Sequence, residues 1–146
     1  MDNYQIDNSI KGFFKEYRWL SNFHPCTIEY ESIIYPSVEH AYQACKSTNV
    51  SVRDYISKLS HPGLAKKFGR QIIVRYGWEG LRVGVMEALL VLKFHHPYLK
   101  DLLIGTGDRQ LIEVNWWGDK FWGVRANDSV GLNHLGKLLM KVRSTL

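Results

Sequence analysis

The stretch Pro36-Ser37-Val38-Glu39-His40-Ala41-Tyr42-Gln43-Ala44-Cys45-Lys46 carries most of what the sequence says about its fold. Ser37 stands where an N-cap belongs, and Val38, Ala41, Tyr42 and Cys45 recur at helical spacing, which predicts a helix over about 38–46 with one apolar stripe. The opposite line holds Glu39, Gln43 and Lys46 at spacings of four and three, so an acid, an amide and an amine share one face. Spacing alone leaves two readings of that line, a solvated polar face or part of a catalytic site. His40 points off it and reads as a neutral core or surface histidine rather than a proton shuttle.

Working outward, the residues before this helix are aromatic and β-branched with turn formers between them, and predict short strands over 26–28 and 32–35 around Glu29-Tyr30-Glu31. Beyond it, short helices are expected over 52–59 and 62–68, the second opening at Pro62. Trp78, Leu81, Val85, Ala88, Leu89 and Leu92 define one face of a long helix over about 78–95 that stops before Pro97. Gly80 and Gly84 inside it are either tolerated or mark close backbone packing or a nearby ligand. A helix over 97–104, a strand over 111–114 and a last helix over about 132–142 complete a mainly α chain with a small β component, an α+β single compact domain over 1–146.

Composition narrows the function classes. At 146 residues, 45% hydrophobic and 23% charged, the chain is too apolar and too varied for a disordered, collagen-like or coiled-coil protein. The apolar run 88–92 is far short of the roughly 20 residues of a membrane span, and the acids near the N-terminus are unlike the basic start of a signal peptide. Cys26 and Cys45 alone cannot build a disulfide framework or a paired metal site, so a cytoplasmic protein without membrane association is expected. The formal charge of +5 favours anionic partners such as phosphates or nucleic acid. The loose cluster Lys66, Lys67, Arg70 and Arg75 is a solvated face or a binding stripe.

Aromatic residues make up 13% of the chain and crowd into Val114-Asn115-Trp116-Trp117-Gly118-Asp119-Lys120-Phe121-Trp122-Gly123. That segment is a packed turn or a pocket wall, and in the second case Asp119 is an acid placed among rings, suited to proton transfer. No phosphate-binding glycine loop, His-Glu-x-x-His pair or Gly-x-Ser-x-Gly elbow is present. Gly105-Thr106-Gly107-Asp108 reads as a connector, with anion binding by its backbone the weaker reading.

A set of motifs in one order resembles the NADAR (YbiA-like) family. They are Trp19-Leu20-Ser21-Asn22-Phe23, Tyr35 to Lys46, Trp78 with Val85-Met86, Lys93-Phe94, the turn 103–108, Leu111-Ile112-Glu113, Asp119 to Gly123 and Gly131 to Met140, so the resemblance spans about 12–143. It implies a compact, mainly helical fold and an N-glycosidase that needs no metal or cofactor. Two substrate classes go with it, phosphoribosyl-aminopyrimidine intermediates of riboflavin synthesis and ADP-ribose joined to guanine, the latter free or in nucleic acid. On matching positions it implies Glu39 and Asp119 as catalytic residues, Trp78 and Trp122 as catalytic or substrate-binding residues, and Asn22, Phe23, Gln43, Lys46 and Asn133 as pocket residues. The sequence departs from the pattern at Val124-Arg125-Ala126-Asn127-Asp128, where relatives carry Asp and Gly.

An oxocarbenium-like transition state at the sugar needs a carboxylate beside the sugar carbon and an acid at the leaving nitrogen, slots that Glu39 and Asp119 fill. Lys46 offers a second route as an amine nucleophile forming a Schiff base. From another class, a non-catalytic module that recognises ADP-ribose or nucleic acid is the alternative. Two acids in a phosphate-binding pocket argue against it.

Overall fold

The structure, a computed structural model, describes residues 7–146. The described chain begins with a short strand β1 (Ile10–Lys11), a 3-10 turn (Lys15–Leu20), the hairpin β2 (Ile28–Tyr30) and β3 (Ile33–Tyr35), and helix α1 (Val38–Ala44). Helices α2 (Val50–Ser57), α3 (Pro62–Gly69), α4 (Trp78–Lys93) and α5 (Pro97–Gly105) follow. Strands β4 (Leu111–Ile112), β5 (Val114–Asn115) and β6 (Val124–Arg125) then lead into the last helix, α6 (His134–Ser144). The fold is α+β and mainly helical, as the sequence predicts.

Helix starts are set locally. Ser37 Oγ accepts the His40 N–H, Asn49 Oδ1 accepts from Ser51 and Val52, and His61 Nδ1 accepts from Gly63, with Pro62 and Pro97 opening α3 and α5. α1 lies at the centre, with all seven of its residues buried and α2, α3, α4 and the hairpin packed around it. Of the two readings of the polar line, the solvated face does not hold for Glu39 and Gln43, which are only 7% and 4% exposed. His40 is a core histidine. Its Nδ1 lies 2.6 Å from Ser37 Oγ and its Nε2 2.9 Å from the Leu59 carbonyl, so both ring nitrogens serve the fold.

Several predicted elements shift. In the hairpin, Tyr30 pairs with Ile33, which leaves Glu31-Ser32 as a two-residue turn at φ 48° and 69°. A hairpin turn with both residues at positive φ ordinarily carries Asn or Gly, so Glu31-Ser32 does not read as one. The Glu31 carboxylate pairs with the Arg53 guanidinium on α2 and ties the turn down.

The long helix is rotated relative to the expected stripe. Trp78, Met86, Leu89, Leu90 and Lys93 are buried, whereas Leu81 and Leu92 are exposed. α4 packs on both α1 and α6, and that two-sided contact selects the row 78, 82, 86, 90. Lys93, fully buried, donates from Nζ to the Ser21 carbonyl at 2.8 Å, and burial lowers its pKa to about 8. Gly80 and Gly84 are exposed with open space beside them, so they are tolerated glycines.

The predicted strand 111–114 breaks at Glu113. β4 pairs in parallel with β1, and β5 pairs in parallel with β6. Asn133, at φ 52°, bridges the break by donating from Nδ2 to the Leu111 carbonyl and accepting the Glu113 N–H at Oδ1, both at 3.0 Å. α6 therefore starts at His134, later than expected, and Leu132 is left outside it and exposed.

Candidate active site

A cavity of about 1180 Å³ opens beside α1. Glu39, Tyr42, Gln43 and Lys46 line it from α1, Lys66 and Arg70 from α3, and Trp78, Arg82 and Met86 from α4. The N-terminal segment adds Lys15, Arg18, Asn22 and Phe23, and the β4–β6 region adds Glu113, Asp119 and Trp122.

Four carboxyl residues line this space, Glu79 at the start of α4 and three others, Glu39, Asp119 and Glu113, with different surroundings. Glu39 Oε1 accepts the Gln43 Nε2 proton at 2.8 Å. Burial raises its pKa, while that hydrogen bond and the Lys66 and Lys46 ammoniums favour the ionised form. Asp119 is fixed by the backbone, its Oδ1 accepting the N–H groups of Phe121 and Trp122 at 2.9 and 3.0 Å. Fully buried Asn115 holds the same loop, accepting the Asp119 N–H and donating to the Asp119 and Val124 carbonyls. Glu113, at the break between β4 and β5, has its carboxyl pushed up to about 7 by burial and, next, by the Asp119 charge.

Buried polar atoms without a partner converge here. Among the described residues they are Asn22 Oδ1, Gln43 Oε1, Arg82 Nε and Glu113 Oε2, and all four residues line the cavity. A buried polar group without a partner costs roughly 1–3 kcal/mol, and a polar ligand would satisfy these together. Tyr42 stands between two tryptophans, its ring 5.3 Å from that of Trp78 and 5.5 Å from that of Trp122. Lys46 Nζ lies 5.8 Å over the Tyr42 ring. Burial lowers the Lys46 pKa against the pull of Glu39, and Arg70, Arg82 and Lys66 lower it further.

Asn22, Phe23, Glu39, Gln43, Lys46, Trp78, Asp119 and Trp122 thus lie around one cavity, although Trp78 is largely buried against Tyr42. Asn133 is the exception. It is not a lining residue, because its amide is spent holding β4 and Glu113 in place. The basic cluster splits. Lys66 and Arg70 line the cavity, Lys67 is exposed outside it, and Arg75 donates its N–H to the Lys46 carbonyl. Glu113, Arg82 and Tyr42 are lining residues that the spacing arguments missed. Of these only Glu113 left a signal, an acid set within the apolar run Leu111-Ile112-Glu113-Val114. The turn at 105–108 and the departing segment 124–128 contribute nothing to the lining.

Comparison with known proteins gives the family. The NADAR domain family matches residues 10–146. The chain belongs to the NADAR family. The N-glycosidase Npun_R5314 of Nostoc punctiforme is 35% identical over 91% of this chain and 88% of its own. The N-glycosidase YbiA of Escherichia coli is 34% identical over 97% of this chain and 91% of its own, and the NMR structure of the E. coli protein YbiA superposes with a TM-score of 0.85, covering 95% of this chain and 84% of that one. Riboflavin biosynthesis protein VVA0006 of Vibrio vulnificus is 36% identical over 88% of this chain and 35% of its own. This NADAR chain therefore stands among the family's enzymes, by similarity over nearly its whole length.

Proposed function

We propose that this NADAR domain is an N-glycosidase hydrolysing the C–N bond between a phosphoribosyl or ADP-ribosyl group and a planar base. The observation that carries the reading is Glu39, a carboxylate buried on the central helix yet open to a cavity ringed by lysine, arginine and tryptophan. Cleavage builds positive charge on the sugar carbon, and a desolvated carboxylate stabilises that charge or activates water more strongly than a solvated one. Glu39 takes this role, and Asp119 is the second carboxylate of the site. Lys15, Arg18, Lys66 and Arg70 supply charge for phosphate groups, and Trp122 supplies an aromatic face for the base.

The volume exceeds the roughly 300–1000 Å³ of ordinary small-molecule pockets, which favours a substrate as large as ADP-ribosyl-guanine, as a nucleoside or within nucleic acid. The similarity to a riboflavin biosynthesis protein supports a phosphoribosyl-aminopyrimidine instead. Both free thiols fit action in a reducing cytoplasm. Incubation with each substrate and mass analysis of the products tests the reading. Release of the base with the matching ribosyl product is expected from one of them, and intact recovery of both would favour a binding module.

The lowered pKa of Lys46 favours a second mechanism in which its amine adds to C1′ as the base leaves, and opening of the ring C1′–O bond, with Glu39 moving protons, gives a Schiff base that water later hydrolyses. Borohydride during turnover would then leave a ribosyl adduct on Lys46, and Lys46→Arg would be inactive. An active Arg variant without adduct returns Lys46 to phosphate binding.

A further inference from the structure

Glu113 is held more firmly than a surface acid needs to be. Its N–H donates to Asn133 Oδ1 at 3.0 Å, its carbonyl accepts the Val124 N–H at 2.8 Å, and its side chain is one of those lining the cavity. Its Oε2 is buried with no partner. Gly123 stands directly against it, where a Cβ would overlap the Glu113 carboxyl and carbonyl, so only a glycine gives this side chain its room.

We infer that Glu113 is a catalytic residue, the carboxylic acid that protonates the base nitrogen as it leaves the sugar. The inference rests on the N-glycosidase reading of the cavity. It follows from how Glu39, Asp119 and Glu113 divide the available donors. Asp119 takes two backbone N–H groups, and Glu39 takes the Gln43 amide and faces Lys46 and Lys66. The groups facing Glu113 are the acids Asp119 and Glu39, with the Asn115 side chain and Lys66 opposing them. Burial and the two acids outweigh that opposition and hold the group near pKa 7, where a proton is both retained and readily given.

The step balances. The C1′–N bond breaks with its electron pair passing to nitrogen, and the Glu113 proton moves to that nitrogen. Water oxygen adds to C1′ while its proton passes to the Glu39 carboxylate. One proton returned from Glu39 to Glu113 through solvent restores the site.

The test is the pH dependence of kcat from pH 5 to 9, for the wild type and Glu113→Gln, on whichever of ADP-ribosylated guanosine and phosphoribosyl-aminopyrimidine is hydrolysed. The wild type should lose rate on the alkaline side near pH 7. Glu113→Gln should be at least ~100-fold slower and lack that limb, and Glu113→Asp should be slower but keep one. Carbon-13 carboxyl NMR of the wild type, read against the Gln variant, should show Glu113 titrating near 7 whether or not substrate is present. A glutamine variant within tenfold of the wild type, a slow variant that keeps the wild-type limb, or a Glu113 resonance titrating in the ordinary carboxylate range each overturns the inference while leaving the N-glycosidase reading intact. A wild type that hydrolyses neither substrate removes that reading and the inference with it.

Discussion

Glu113 and Trp122 show how single residues trade stability for a site. The pKa of Glu113 is raised from 4.5 to about 7, so the folded state prefers the protonated acid. Its contribution to stability is fully present below pH 4.5 and is lost as pH rises through 7. Glu113→Gln, always neutral, should therefore melt higher than the wild type at pH 8, by an equivalent of about 1–3 kcal/mol, with the difference gone by pH 4.5. Melting curves at the two pH values check this, and an equal or lower melting temperature at pH 8 counts against the buried acid. Trp122, partly exposed, separates binding from folding better than Trp78, whose truncation would open the core at a cost of about 3–5 kcal/mol. Trp122→Ala should weaken ADP-ribose binding by about 1–3 kcal/mol if the base stacks there. Calorimetric titration giving wild-type affinity with the fold intact would make Trp122 a packing residue only.

At the scale of elements, starts and faces were unequally legible. Ser37, Pro62 and Pro97 announce helix starts because capping and proline geometry are local, and the structure places all three where the sequence does. Faces are decided by partners. The same periodicity that put Leu81 and Leu92 in the core leaves them exposed, because α4 answers to α1 and α6 together. The polar line of α1 stayed open between two readings for the same reason, since only the surrounding helices make Glu39 and Gln43 interior. Close approach was equally invisible. Gly84 has open space around it, so Gly84→Ala should add about 1 kcal/mol of helix stability. At Gly136 a Cβ would overlap the Leu111 carbonyl oxygen, so Gly136→Ala should destabilise despite its better propensity. Urea denaturation of the two variants should move in opposite directions, and a shared direction would contradict the packing of α6 on β4.

For the whole molecule, the cavity draws on residues from Phe13 to Leu135, and no stretch of sequence contains it. Motif order pointed to eight of its residues, because a family pattern carries three-dimensional proximity that spacing on one helix cannot. Glu113 and Tyr42 lay inside the motifs without a role and Arg82 outside them, because their importance lies in what they lack or separate, an unpartnered oxygen, an unpartnered Nε and a ring between two others. The central claim is that this assembly uses the Glu39 carboxylate to break a ribosyl C–N bond. It is tested most directly by kcat for wild type and Glu39→Gln on the substrate whose base is released, with the fold checked by circular dichroism. Glu39→Gln should be folded and slowed by at least ~100-fold, the usual scale for losing such a group. A folded Glu39→Gln protein turning over at the wild-type rate would contradict it.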